Sequence, residues 1–315
     1  MNRRVTLRSV AGGALLLVPG SCLLPAQPLA TQAALASAAP PGPGTGAVAA
    51  DPSPPPPSPL ARDSFVLPRT PQQGLAMVAQ APAGAQQVLF DGTALPLAAD
   101  GRFLLAFDRD APPAAQLTAV MADGRRLTLP LAVRPGQWRI EQINAPWRGA
   151  AGNDAEFARR RPAELAQINA ARRGQVTSDG WQQSFRWPVR GRLSGFFGSQ
   201  RVYQGKPGSY HSGLDIAAPT GTPFVAPADG VVVLAASAPF TLEGNLLMVD
   251  HGMGLVSAFL HAARLDVVTG QVVRQGQPLG TVGATGRATG PHLHWGLRWG
   301  AARLDPLPLL PRSPQ

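Results

Sequence analysis

Between residues 180 and 308 the apolar residues come in short bursts separated by glycine, the rhythm of strands and tight turns. Residues 224–228, 231–235, 246–251, 255–261 and 292–299 read as strands, with Trp187-Pro188 at the entry to the region. The last of these alternates most regularly. Leu293, Trp295, Leu297 and Trp299 fall on one face and can enter a core, while His292, His294 and Gly296 share the other. On 255–261 the same alternation gives His261 the face of Ser257 and Phe259, so it need not be core.

Upstream the pattern changes twice. Residues 62–148 hold apolar runs at 86–90, 102–107, 116–121 and 126–133. They are separated by Asp91-Gly92, Asp100-Gly101 and Asp123-Gly124, dipeptides that supply the positive φ of tight hairpins. A small β-sandwich-like domain is expected there. Residues 150–175 predict a helical connector. Asn153 or Asp154 would cap a short first turn, and Pro162 would start a second helix in which Leu165 and Ile168 share a face before Arg172, Arg173 and Gly174. The fold class expected for the whole chain is mostly all-β, ending in a β-sheet domain at 180–308.

Residues 31–61 are dominated by Ala and Pro and cannot build a core, which predicts an extended disordered spacer. Residues 1–30 read as an export signal: Arg3, Arg4 and Arg8, then an apolar run broken by Gly12, Gly13, Pro19 and Gly20. That run is too short and too interrupted to span a membrane, so no integral span is expected in the mature chain. Arg3-Arg4-Val5-Thr6-Leu7 weakly resembles a twin-arginine signal. Pro19 stands where a lipoprotein acylation site needs a large aliphatic residue, which argues against lipid anchoring at Cys22. The expected location is the periplasm or cell envelope.

Composition sharpens the chemistry. Gly 35 and Pro 34 with only 15% charged residues disfavour long helices. The net charge of +10 is almost all arginine, Lys206 being the only lysine, and reads mainly as genome composition. It would also favour polyanions such as cell-wall polymers or membrane surfaces. No basic run is interleaved with aromatics, so nucleic acid is not an expected partner. The single cysteine excludes an internal disulfide and any cysteine-rich zinc site.

All five histidines lie in the last region. Two imidazoles on one strand face, His292 and His294, can reach one metal centre, one as ligand and one working on substrate. In His211-Ser212-Gly213-Leu214-Asp215 an imidazole and a carboxylate flank a glycine that lets the backbone bend. His211, Asp215 and His294 then make three ligands with a fourth position open for water, the pattern of catalytic zinc. Glu243 is the only glutamate after Val176 and no His-Glu-x-x-His helix exists, so the base must be something else. The spare imidazoles His261 and His292 have the pKa range for general acid–base work. His251, in Asp250-His251-Gly252, and Asn245, after Gly244, read as structural or turn residues.

Together these segments resemble the lysostaphin-type (LytM-like) zinc metallopeptidases of bacterial cell walls. The resemblance rests on Ser194-Gly195-Phe196-Phe197-Gly198, the stretch from His211 to Ala217, Ala226-Pro227-Ala228-Asp229-Gly230 and Asp250-His251-Gly252. Leu260-His261, Gly276-Gln277 and the stretch from Thr285 to His294 complete it. It implies a duplicated-hybrid, barrel-sandwich-like β fold over roughly residues 187–307. It implies one Zn2+ per chain on His211, Asp215 and His294, with His261 and His292 as the catalytic pair. It also implies endopeptidase action on peptidoglycan, in cross-links or stem peptides. Some members use an upstream tyrosine to stabilise the tetrahedral intermediate, and Tyr203 and Tyr210 are the only tyrosines here. The alternatives are a catalytically inactive wall-binding protein or activator of another hydrolase, which would typically lack ligands, and a lipoyl-type carrier, which would need a lysine at a hairpin tip.

Overall fold

The structure, a computed structural model, describes residues 63–146, 155–174 and 176–312. The predicted export signal and spacer, and the predicted caps Asn153 and Asp154, lie outside these residues.

The first strands are β1 (Ala76–Gln80), β2 (Ala85–Phe90), β3 (Thr93–Leu95), β4 (Arg102–Ala106), β5 (Ala114–Met121) and β6 (Arg126–Ala132). Strands β3-β2-β5-β6 form one antiparallel sheet, and β1 pairs with β4 in a separate ladder. The Asp91-Gly92 turn is a two-residue hairpin between Phe90 and Thr93, and both its residues have positive φ. Val88, Phe103, Leu105, Phe107 and Leu117 fill the core of this layer. Strand β1 was not legible in the sequence because both its faces are covered, which erases alternation. Met77 and Ala79 enter this core, while Ala76, with Leu104 and Ala106 of β4, enters the larger core beyond.

Next come β7 (Ile140–Ile143) and α1 (Ala155–Arg173). α1 is one continuous helix with Pro162 inside it, not a helix begun by that proline. Proline removes one backbone bond, but tertiary anchors on either side hold the helix. Arg161 makes two hydrogen bonds of 2.6 and 2.8 Å to Glu243, and Glu164 accepts from the N–H and hydroxyl of Thr241 at 2.8 and 2.6 Å. The inward face therefore carries Glu164 and Ile168, whereas Leu165 is exposed. The run Arg159-Arg160-Arg161 is not wholly given to solvent, since Arg160 also donates to the Pro239 carbonyl.

The remainder is β8 (Arg192–Gly195), β9 (Gln200–Tyr203), β10 (Lys206–Tyr210), β11 (Gly213–Ala217), β12 (Pro223–Val225), β13 (Gly230–Ala235), β14 (Asn245–Asp250) and β15 (Leu255–Ala262). After these come β16 (Arg264–Leu265), β17 (Val272–Val273), β18 (Pro278–Thr281), β19 (His292–Trp299) and β20 (Ala302–Leu304). The main sheet runs β17-β13-β14-β15-β19-β11-β8, with β20 also pairing β19. Strands β12-β18-β16 form a second small sheet, and β10-β9-β7 a third in which β7 runs parallel to β9. One face of the main sheet is core: Leu214, Ile216, Leu247, Val249, Phe259, Leu293, Trp295 and Leu297 pack there. On another cluster Leu246, Met248 and Val256 pack with Ile168 of α1. No helix among the described residues is long and apolar enough to cross a membrane.

Candidate metal centre

Strands β11 and β19 are neighbours in a register that sets Asp215 opposite His294 and Gly213 opposite Gly296. His211 lies just before β11, its N–H bonded to the Ser199 carbonyl at 2.8 Å. Three side-chain atoms converge from these positions. Asp215 Oδ1 is 3.0 Å from His211 Nε2 and 2.8 Å from His294 Nδ1, and the two nitrogens are 3.1 Å apart. Tetrahedral zinc with ligand bonds near 2.1 Å has edges of about 3.4 Å, so this triangle fits one small cation after slight expansion. Among the described residues His211, Asp215 and His294 are the group that could hold a metal ion. His211 Nδ1 donates to the Phe196 carbonyl at 3.1 Å, which fixes the tautomer and leaves the Nε2 lone pair facing the cluster.

The electrostatics suit a cation. Burial acts to raise the Asp215 carboxyl, but hydrogen bonds from His211 and His294 overcome it and hold the group well below the usual carboxylate range. Burial also depresses His211, yet its Asp215 bond outweighs that and the net shift is upward. His294 shares the same carboxylate but moves downward, because its burial dominates. His294 is the more buried, its side chain 11% exposed against 24% for His211, and it is also repelled by His211 and His292, while the Phe196 carbonyl helps raise His211.

Two glycines make room for the ligands. A Cβ at Gly213 would lie 2.6 Å from His294 Nε2, and one at Gly195 would lie 2.4 Å from Asp215 Oδ2. Each strand crossing behind the cluster is thus stripped of its side chain where a ligand stands.

The predicted catalytic imidazoles also arrive here. His292 Nε2 is 3.7 Å from Asp215 Oδ1, and the His261 and His292 rings are 4.9 Å apart. The alternation expected for β19 holds, with Leu293, Trp295 and Leu297 fully buried on the opposite face. The reasoning for His261 does not hold. Phe259 and Ser257 are completely buried, so strict alternation would point His261 into the core. A β-bulge prevents this. Asn245 pairs with Ala262 and Leu247 with Phe259, so two steps on β14 match three on β15. His261 takes φ 64°, a left-handed conformation costly for a residue with a Cβ. Ala262 then returns to the core. His261 Nδ1 donates to the Thr285 carbonyl at 2.8 Å, and burial is the main cause that pushes the imidazole down to about 4.

Other residues resolve as follows. The Glu243 side chain is committed to Arg161, and its carbonyl accepts the His261 N–H at 2.9 Å. Asn245 is not a turn residue: it opens β14 and its Nδ2 donates to the Ala262 and Ala263 carbonyls, bracing the bulge. His251 is structural, as expected. It is fully buried, donates to the Asp229 carbonyl at 2.8 Å and accepts from Ser257, whose Oγ in turn accepts Trp295 Nε1–H at 3.0 Å. Tyr210 immediately precedes His211, its ring 4.5 Å from the Arg109 guanidinium, and Tyr203 ends β9. Both line a groove of about 900 Å³ with His211, Phe196, Arg139 and Arg192. The carbonyl acceptors at 196, 285 and 290 were missed as functional groups, since no side-chain type announces them. Their only signal is that they lie in the short stretches quoted for the family resemblance.

A model described as Peptidase family M23 matches residues 209–306. A solved structure from Pseudomonas aeruginosa, described as a peptidase M23, is 30% identical and superposes with a TM-score of 0.58, covering 76% of this chain and 95% of that one. The cell division protein DipM of Caulobacter vibrioides is 40% identical over 134 residues, 41% of this chain and 21% of DipM. The peptidoglycan DD-endopeptidase ShyA of Vibrio cholerae is 40% identical over 123 residues, 38% of this chain and 28% of ShyA. The match thus spans less than a third of the length of these two curated relatives.

Proposed function

Because the chain belongs to peptidase family M23, we propose that it is a zinc-dependent endopeptidase cutting DD-type peptide cross-links of peptidoglycan outside the cytoplasm. The observation that carries this reading is the convergence of one Asp215 oxygen and two imidazole nitrogens within 2.8–3.1 Å of one another, with two further imidazoles beside them. The DD assignment leans on the names of relatives such as ShyA.

His211, Asp215 and His294 would hold the zinc. Bound there, it supplies Lewis acidity that activates water at neutral pH and polarises a carbonyl. The Nδ1 atoms of His261 and His292 are occupied by main-chain carbonyls, so Nε2 is the working nitrogen of each. One imidazole takes a proton from the attacking water. As imidazolium it stabilises the developing oxyanion, and the proton then passes to the leaving amine. The groove at His211 receives the peptide. In this reading residues 180–308 are the peptidase module, 62–148 and 150–175 brace it, 31–61 is a tether, and 1–30 directs export to the periplasm or envelope.

The test is metal content of the purified protein together with turbidity loss of isolated cell wall, with and without chelator. Mass spectrometry of products from a defined muropeptide dimer identifies the bond. Stoichiometric zinc with no chelator-sensitive cleavage would sink the proposal.

A further inference from the structure

A second hollow touches the metal cluster. A cavity of about 110 Å³ lies against His294, Ser212 and Gly296 and is lined by Arg172 of α1, Arg298 of β19 and Arg303 of β20. The Nε atoms of Arg172 and Arg298 are buried and have no hydrogen-bond partner. Their other contacts are few. An Arg298 Nη donates to the Ala301 carbonyl at 2.8 Å, and an Arg172 Nη reaches Asn169 only at 3.5 Å. The one carboxylate lining the cavity is Glu243, already bonded twice to Arg161. Among the described residues no carboxylate pairs directly with any of these three guanidiniums; of the carboxylates only Glu243 attracts Arg172 and Asp108 attracts Arg298 through space. Burial, followed by repulsion from Arg298, brings Arg172 down to about 10, and burial and Arg303 lower Arg298. Arg172 and Arg298 are partly buried guanidiniums with unpaired Nε atoms, so the arrangement costs stability as it stands. Such a cost is characteristic of sites that a ligand completes.

We propose that this cavity is a carboxylate subsite, in which Arg172, Arg298 and Arg303 receive a carboxylate of the peptide substrate while its scissile bond lies at His211, Asp215 and His294. The inference rests on the peptidase reading and adds what the enzyme recognises beside the cleaved bond. When the cross-linking amine belongs to an amino acid whose own carboxyl is free, that carboxylate sits one carbon from the scissile nitrogen. An unpartnered Nε–H together with an Nη–H offers the two parallel bonds a carboxylate takes. The volume suits a group of that size, since a water occupies roughly 30 Å³ of liquid.

The experiment uses the full zinc-loaded protein and two muropeptide dimers that differ only in a free carboxylate or a carboxamide beside the cleaved bond. We expect the wild type to favour the carboxylate substrate by about tenfold or more in kcat/KM. In Arg172→Gln and Arg298→Gln, KM for that substrate rises by about the same factor, kcat changes little and the preference vanishes. Calorimetric binding of the two dimers to metal-free protein should rank them in the same order. Without ligand both variants should melt no lower than the wild type, because a repelling buried charge is gone. If either fails to fold, Arg303→Gln, at an exposed position, tests the same loss of preference. Equal turnover of the two dimers by the wild type, or variants that lose both equally, would overturn the subsite. Stabilisation by inorganic phosphate without substrate discrimination would overturn it in favour of a free-anion site. A wild type that cuts neither dimer overturns the peptidase reading itself.

Discussion

His261 and His292 stand with their ring centroids 4.9 Å apart, and each gives its Nδ1 hydrogen to a main-chain carbonyl, that of Thr285 and that of Gly290, both at 2.8 Å. The shared device fixes two imidazoles in the same tautomer beside a cluster in which His211 meets Asp215 through Nε2 and His294 through Nδ1. His211 is held the same way through the Phe196 carbonyl, so what separates it from His261 and His292 is that its free Nε2 meets Asp215 and His294, 3.0 and 3.1 Å away.

His294→Ala should lose zinc and activity together. His261→Ala should keep near-stoichiometric zinc while turnover falls by roughly 10²–10⁴-fold, the range for a lost general acid–base group. Metal analysis and cleavage of isolated wall, run on the same samples, check both. Full activity in either variant would break the assignment.

Gly213→Ala tests the clearance behind His294. The added methyl would meet His294 Nε2 and the Trp295 carbonyl, both at 2.6 Å. The expected result is a folded protein whose zinc affinity falls about 10–100-fold, as when a supporting contact of a ligand is disturbed. Competition with a chromogenic chelator measures it, and an unchanged affinity would show that the strands part easily.

Burial raises the Asp305 carboxyl to about 6, while its Oδ1 accepts the Leu307 N–H. A carboxyl that binds its proton more tightly when folded stabilises below the unfolded pKa of about 3.9, and that stability is lost as pH rises through about 6. Asp305→Asn keeps the acceptor and cannot ionise. Denaturant titrations should find it equal to the wild type near pH 3.5 and more stable by about 1–3 kcal/mol at pH 7.5. A gap independent of pH would refute the burial argument.

Arg161→Ala would leave Glu243 without its main partner where both side chains are largely buried, at 16% and 11% exposure. A loss of about 3 kcal/mol is expected. Arg161→Ala combined with Glu243→Ala should cost less than the two single changes added together. Strict additivity in chemical denaturation would mean the pair does not anchor α1.

The sequence marked the histidines and the aspartate that converge more fully than it marked the scaffold around them. β19 declared itself because one face is core and the other carries His292 and His294, so period-two alternation survived intact. β1 was invisible because both faces are buried. The α1 register was misread because its inward face is held by Glu164 and Arg161 rather than by leucines, and a polar anchor leaves no hydrophobic period. The aim of His261 depends on an extra residue in β15, which only the partner strand reveals. The arginine cavity was equally hidden, since Arg172, Arg298 and Arg303 come from three elements that meet only in the folded chain.

The acceptors that orient His211, His261 and His292 are the carbonyls of Phe196, Thr285 and Gly290. Every amino acid carries that oxygen, so the acceptors themselves survive substitution at those positions, and only the Thr285 hydroxyl, tied to the Asn245 N–H and the Ala262 carbonyl, adds a side-chain brace. Inserting or deleting a single residue in the same loops would slide the oxygens out of reach. Tolerance here belongs to spelling and intolerance to length, and a survey by point substitution alone would pass over the parts that aim the chemistry.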